Sequence, residues 1–399
     1  MDHSEINHPL KGKRIIIVQQ SLEMGGAERQ GLHLAEWLVN RCGANVEFWG
    51  FHTWGQAALK CEELGIKCRL VEWDWNGPLI ERIKGIIKFG IVLRKAKPDI
   101  ILPYTMPANI ACGIVWRFTG AKTCIWNQRD VGMQRFGKNW EILAVKLIPN
   151  FICNSNHAKV FLTTALGINK KNVNIIYNGV ALNPVVSTRQ QWRKNLGVNE
   201  KTVLACMIAN LHSFKDHPTL LMAWSHVINS WADPSNCPKL LLAGHDYGTG
   251  NSLKALADEL KIADHIYFLG SVKDITGLLS AVDFAVFSSI NEGIPNGVLE
   301  PMAAGLAVTG TDIPGIRVAL GDSMTIWLCP PNDKAFLAEN ILILAKSSNL
   351  RDSIGRLNIE RVQKVFSVEN MCQLTCNIIV NDLNINNINY TYLTNHVNA

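Results

Sequence analysis

No stretch restricts the fold of this chain more than Ser288–Gly315, SSINEGIPNGVLEPMAAGLAVTGTDIPG. The run Asp283–Phe287 feeds it and reads as a strand. Gly293 permits a tight turn, and Pro295 suits the first turn of a helix, where its missing N–H is no loss. Asn296–Ala304 is rich in helix formers, Gly305 ends it, and Leu306–Thr309 reads as the next strand. Strand, turn, helix and strand in this order are the unit of an α/β fold.

The same residues carry chemistry. Free backbone N–H groups at such a helix start bind phosphate. Glu300, in the second helical turn, suits vicinal hydroxyls such as those of a ribose. Glu292, in the turn, stands where a sugar attached to that phosphate would lie. Each acid alone reads equally well as a solvated side chain at a capped helix; the combination describes a nucleotide-sugar pocket.

Glu292, Gly293, Pro295, Asn296, Leu299, Glu300, Met302, Ala303 and Gly305, followed by Thr311, Asp312 and Gly315, form E-G-x-P-N-x-x-L-E-x-M-A-x-G and T-D-x-x-G. This resembles the donor-binding signature of retaining GT-B glycosyltransferases of family 4. The resemblance covers roughly residues 13–380, strongly in the second half and more thinly in the first. It implies an α/β chain of two Rossmann-like domains facing across a cleft, with a C-terminal helix crossing back to the first.

Bulk properties agree with that scale. At 399 residues two domains are the natural expectation, and 48% apolar with 18% charged residues mark a folded globular chain. Eleven scattered cysteines without a CxxC pair, and no secretory signal, lead us to expect a reducing cytoplasm. No apolar run reaches the roughly 18–20 residues of a membrane span. Residues 1–180 carry net charge +9 and the remainder −3. The basic first half suggests an anionic partner, a membrane surface or a phosphate-bearing acceptor; no nucleic-acid motif is recognised.

In chain order, strands are expected at Arg14–Val18, Val46–Phe51, Cys68–Val71, Asp99–Leu102, Lys122–Trp126 and Phe151–Asn154, alternating with helices. Glu72-Trp73-Asp74 is not a metal-holding D-x-D and reads as a turn. Ile80–Ala96 is a basic amphipathic helix, readable as a surface helix packed on the sheet, as a membrane-surface contact, or as both. A helix follows Ser155 to Leu166, and Asn178-Gly179 turns into a polar linker over residues 181–200. The first domain is thus 1–180 and the donor domain 201–365, followed by a crossover helix over 366–380 and an Asn-rich tail, 381–399, expected to be disordered.

The resemblance also assigns roles. Gly25 and Gly26, in G-G-A-E-R after the first strand, would border the cleft beside the donor phosphate. Asn109, with Arg129 in W-N-Q-R, would line the acceptor side; Arg129 suits a phosphate and Asp130 an acceptor hydroxyl, or the two form a local ion pair. Lys215, in N-L-H-S-F-K-D-H, would neutralise the donor diphosphate, with Asn210 beside it, and the backbone at Gly270 would flank the base. Ile294, between Gly293 and Pro295, completes the donor-binding turn. Where relatives place Arg, this chain has Asn210 or His212, and where they often place Glu it has Val318. Neither metal nor cofactor is expected. The implied activity is retaining transfer from a nucleotide-sugar, expected to be a UDP-sugar, to a glycan or lipid-linked acceptor in surface polysaccharide assembly. The alternatives are a non-catalytic nucleotide-sugar-binding scaffold and a GT-B epimerase.

Overall fold

The computed structural model describes residues 8–73, 75, 77–130, 132 and 136–383. Asp74 of the acidic turn and the Asn-rich tail from residue 384 lie outside them. The first half alternates β1 (Arg14–Gln19), α1 (Gly26–Asn40), β2 (Asn45–Gly50), α2 (Gln56–Glu63), β3 (Lys67–Leu70), α3 (Leu79–Ala96), β4 (Ile100–Pro103), α4 (Met106–Thr119), β5 (Thr123–Gln128), α5 (Lys138–Leu147), β6 (Asn150–Cys153), α6 (Asn156–Val160) and β7 (Val173–Ile175). These strands form one parallel sheet in the order β3-β2-β1-β4-β5-β6-β7.

Strand β1 is central, and its apolar run is buried on both faces. Ile15 and Ile17 enter one core, Ile16 and Val18 the other, as the two-residue period of a strand requires. The edge strand β3, KCRL, alternates exposed and half-buried residues instead.

The second half runs α7 (Arg189–Asn195), β8 (Leu204–Ile208), α8 (His217–Asn229), β9 (Lys239–Ala243), α9 (Gly250–Glu259), β10 (Ile266–Gly270), α10 (Ile275–Ala281), β11 (Phe284–Phe287), α11 (Asn296–Ala303), β12 (Ala307–Thr311), α12 (Pro314–Leu320), β13 (Leu328–Cys329), α13 (Lys334–Lys346), α14 (Ser348–Val365) and α15 (Val368–Asp382). Its sheet is also parallel, in the order β10-β9-β8-β11-β12-β13, around a single apolar core.

Three helices, α5, α7 and α12, are additional to those the sequence pattern predicts. The stretch 181–200, expected as a linker, carries α7, opened by a capping box of Thr188 and Gln191. It docks through polar contacts: Trp192 Nε1 donates to Asp274 at 3.0 Å, and the buried Arg193 donates to the Ala281 carbonyl at 2.6 Å. The helix expected from Ser155 to Leu166 is α only over Asn156–Val160 and continues as a π turn through Ala165. Helix α15 crosses back: Met371, Cys372, Cys376 and Ile379 are buried in the first half's core, and Asp382 accepts from Thr123 and Asn150.

Candidate active site

In both sheets the connections change direction between two neighbouring strands, β1 and β4 in the first, β8 and β11 in the second. Ligands of such sheets bind beyond the carboxyl ends of the strands at that point. The turn from β1 into α1 carries Gly25 and Gly26, the loop after β8 carries Lys215, and the loop after β11 carries Glu292.

Lys215 is set by its backbone. Asp216 adopts a left-handed conformation (φ 51°), and its carboxylate accepts from the Thr219 N–H at the start of α8. Ser288 Oγ, at the end of β11, donates to the carbonyls of Lys215 and Asp216, each at 3.0 Å. The ammonium group lies 5.2 Å from the ring centroids of both Phe214 and Phe287, and it pairs with Glu292. Glu292 also accepts from Ser289 Oγ at 2.9 Å. His217 is buried one turn away; burial, and then the charge of Lys215, pull its pKa down to about 4.

The turn between Glu292 and α11 is held by close packing. A Cβ on Gly315 would stand 1.6 Å from the Gly293 carbonyl oxygen, and one on Gly297 would stand 2.0 Å from that of Ile208. Helix α11 therefore sits directly on the end of β8. Pro295 is the N-cap, with extended backbone (ψ 126°), one position earlier than expected. It offers no capping side chain, which leaves the opening N–H groups of α11 for a ligand. Ile294 is buried beneath the turn. Glu300 is buried as well, and its partner is Arg29 of α1, across the cleft. Burial raises the Glu300 pKa, and Arg29 opposes that rise.

The first half closes over this turn. A Cβ on Gly26 would lie 3.4 Å from Asn296 Nδ2, and one on Gly293 would lie 3.2 Å from Asn154 Nδ2. Asn178 Nδ2 donates to the Ile294 carbonyl at 3.2 Å, and its Oδ1 accepts from Arg129 at 3.3 Å. The Arg129 guanidinium lies over Tyr104, 4.7 Å from the ring centroid. Arg129 and Asp130 turn to different partners. Asp130 accepts from Gln128 Nε2 at 2.9 Å and from the Gly132 N–H at 2.6 Å, and burial raises its pKa. Its carboxylate thus braces the strand end. Asn109 is corrected. It is wholly buried, and its amide is taken up by the main chain of Asn127, donating at 2.9 Å and accepting at 3.2 Å, so it does not line the cleft.

On the far side of β8, Asn210 Oδ1 accepts from the His245 N–H at 3.0 Å, and the Gly270 carbonyl accepts from the Gly244 N–H at 2.8 Å. A Cβ on Gly244 would stand 2.1 Å from the Ala209 carbonyl oxygen, so these turns form one continuous backbone shelf. Val318 lies outside this shelf; its carbonyl accepts from Arg361.

The residues that sequence reasoning missed are Glu28, Arg29, Asn154 and Asn178. All four sit in motifs that were read for their glycines or caps. Glu28 follows Gly25 by three positions, and its carboxylate turns back to the Gly25 N–H. Burial raises its pKa to about 7.

Residues 24–183 match the family model described as Glycosyltransferase Family 4, and residues 188–361 match the one described as Glycosyl transferases group 1. The two matches follow one another along the chain and divide it as the two sheets do. The chain belongs to the group 1 glycosyltransferases. This glycosyltransferase is 24% identical over 311 residues to the UDP-Gal:alpha-D-GlcNAc-diphosphoundecaprenol alpha-1,3-galactosyltransferase of Escherichia coli, a match covering 73% of this chain and 80% of that protein. It is 27% identical over 179 residues to the N-acetyl-alpha-D-glucosaminyl L-malate synthase of Bacillus anthracis, 45% of each chain. Anabaena HepE in complex with UDP and glucose superimposes with a TM-score of 0.80 at 19% identity, over 92% of this chain and 100% of that one. A glycosyltransferase from Rickettsia africae superimposes equally well, with a TM-score of 0.80 at 18% identity over 94% of this chain and 99% of that one. These similarities establish the GT-B fold of the group 1 enzyme.

Proposed function

We propose that this glycosyltransferase moves a hexosyl or N-acetylhexosaminyl group from a UDP-sugar to a lipid-linked or glycan acceptor, with retention of anomeric configuration. The observation that carries this reading is the pair of ion pairs flanking the start of α11, Lys215–Glu292 on one side and Arg29–Glu300 on the other. Each joins a group suited to part of a nucleotide-sugar to a counter-charge that the ligand would replace. The E. coli relative takes UDP-Gal and a diphosphoundecaprenol-linked acceptor by its name, which supports the same donor and acceptor classes here.

In this reading the diphosphate lies at the opening N–H groups of α11 and draws Lys215 away from Glu292. Helix dipole and ammonium neutralise the leaving charge, so no metal is needed. The ribose hydroxyls donate to Glu300, which releases Arg29. Glu292, freed from Lys215, lies along the sugar and steadies the positive charge that develops at its anomeric carbon. The acceptor oxygen attacks that carbon from the face the phosphate leaves. The bond to the diphosphate breaks as the new glycosidic bond forms, and the leaving phosphate oxygen takes the acceptor proton. Arg129 faces the acceptor side and suits an acceptor phosphate. The reaction belongs to surface polysaccharide assembly at the cytoplasmic side of a membrane.

The test is transfer from UDP-Glc, UDP-Gal, UDP-GlcNAc and UDP-GalNAc to polyprenyl-diphosphate sugars, with the product anomer read by NMR. An α-linked product is expected. A β-linked product would overturn the retaining reading, and release of free or epimerised sugar without transfer would overturn the transferase reading.

A further inference from the structure

Helix α3 has two apolar stripes, and the fold uses one. Ile86, Phe89 and Leu93 are buried against the first sheet's core, and α3 packs on α4 where Gly90 meets Val115. The second stripe points outward: Ile80, Ile87 and Ile91 are 58%, 57% and 53% exposed, with Leu79 and Ile83 also exposed. These positions recur every three to four residues, so they form one line along the helix. Lysines flank the line. Lys84, Ile87, Lys88, Ile91, Val92 and Lys95 line a shallow groove along it. The helix carries Arg82, Lys84, Lys88, Arg94 and Lys95 against the single acid Glu81, which pairs with Lys84. Phe118, one turn after Val115 on α4, adds an exposed aromatic ring.

We infer that this face of α3 is a docking surface for a bilayer rich in anionic phospholipid. An apolar stripe bordered by cations is the pattern of a helix lying in the interface, with its apolar residues among acyl chains and its lysines at the headgroups. Among the described residues no helix is long and apolar enough to cross a membrane, and the inner face of α3 is already occupied, so α3 lies on the surface. A protein partner would be expected to bring acids opposite the lysines; phospholipid supplies both the negative charge and the apolar layer.

The placement has a use. Helix α3 follows β3, so Leu79 and Ile80 stand toward the carboxyl ends of the first sheet, the end that faces the cleft. A membrane against α3 would bring lipid-linked acceptors to the rim near Arg129. That use rests on the proposed function; the binding surface itself does not.

The test is sedimentation of the full chain with phosphatidylcholine vesicles, with and without about one-third phosphatidylglycerol. The native chain should pellet with the anionic vesicles and less so at high salt. Ile87→Glu with Ile91→Glu should lower the bound fraction about tenfold, and Lys84→Glu with Lys88→Glu should do the same. Both pairs are exposed, so melting temperature and its shift with UDP should stay native. A native chain left in the supernatant, or unchanged binding by both variants, would overturn the inference. So would a concentration-dependent dimer that Ile87→Glu with Ile91→Glu dissolves, since a second copy would then be the occupant. If vesicle binding fails while transfer to a soluble acceptor persists, only this inference falls.

Discussion

At the scale of single residues, two carboxylates near the cleft meet different surroundings. Glu292 is paired with Lys215 and hydrogen-bonded to Ser289, an arrangement suited to an anion that a ligand can take over. Glu292→Gln should lower kcat by about a hundredfold or more while leaving the Kd for UDP within about threefold, because the charge acts on the transition state rather than on the nucleotide. Steady-state kinetics beside calorimetry reads both, and native kcat in the variant would remove Glu292 from the chemistry. Glu28 is buried, with its pKa raised to about 7 from the ordinary 4.5. The folded state then holds a proton that the unfolded chain has lost, so stability falls as pH rises from about 4.5 to 7, by about 3 kcal/mol. Glu28→Gln should therefore raise the melting temperature at pH 8 and barely change it at pH 4. An equal gain at both values would contradict the buried, proton-holding state.

At the scale of elements, the site depends on backbones that meet without side chains between them. Gly315 opens α12 directly against the Gly293 carbonyl. Gly315→Ala should push α12 from the turn, cost about 1–3 kcal/mol and lower kcat at least tenfold through displacement of Glu292. A variant with native Tm and kcat would show that the contact is slack. Much of this layer was legible in the sequence. The apolar runs marked the central strands because both their faces are buried, and the Ser288–Gly315 stretch placed turn, helix and strand within a residue or two. Helix α7 was not legible, since hydrogen bonds from the buried Arg193 and the half-buried Trp192 hold it rather than an apolar stripe. Asn109 was misread for a related reason. A polar residue near a strand end looks the same in sequence whether it faces a ligand or satisfies a neighbouring backbone, and here Asn109 satisfies the protein itself.

At the scale of the whole molecule, the two sheets share one cleft because three things tie them: the Asn178 contact to the Gly293–Asn296 turn, the Arg29–Glu300 pair, and α15. The residues on the second sheet's side of these ties carried a sequence signal, since they lie in one continuous motif. Their partners in the first half come from separate elements, Arg29 from α1 and Asn178 from the turn after β7, and only folding brings them together. Glu300 is where the reading of the site as a donor pocket is most exposed, because it is buried and its counter-charge comes from the opposite domain. A thermal-unfolding titration with UDP, run on the native chain and on Glu300→Ala, tests that pocket most directly. The native chain should gain about 2.7 kcal/mol at a hundredfold excess over Kd. Glu300→Ala, folded by circular dichroism, should lose most of that gain at the same UDP concentration. An equal gain in both proteins would place the nucleotide away from α11, and no gain in the native chain would contradict UDP as its ligand.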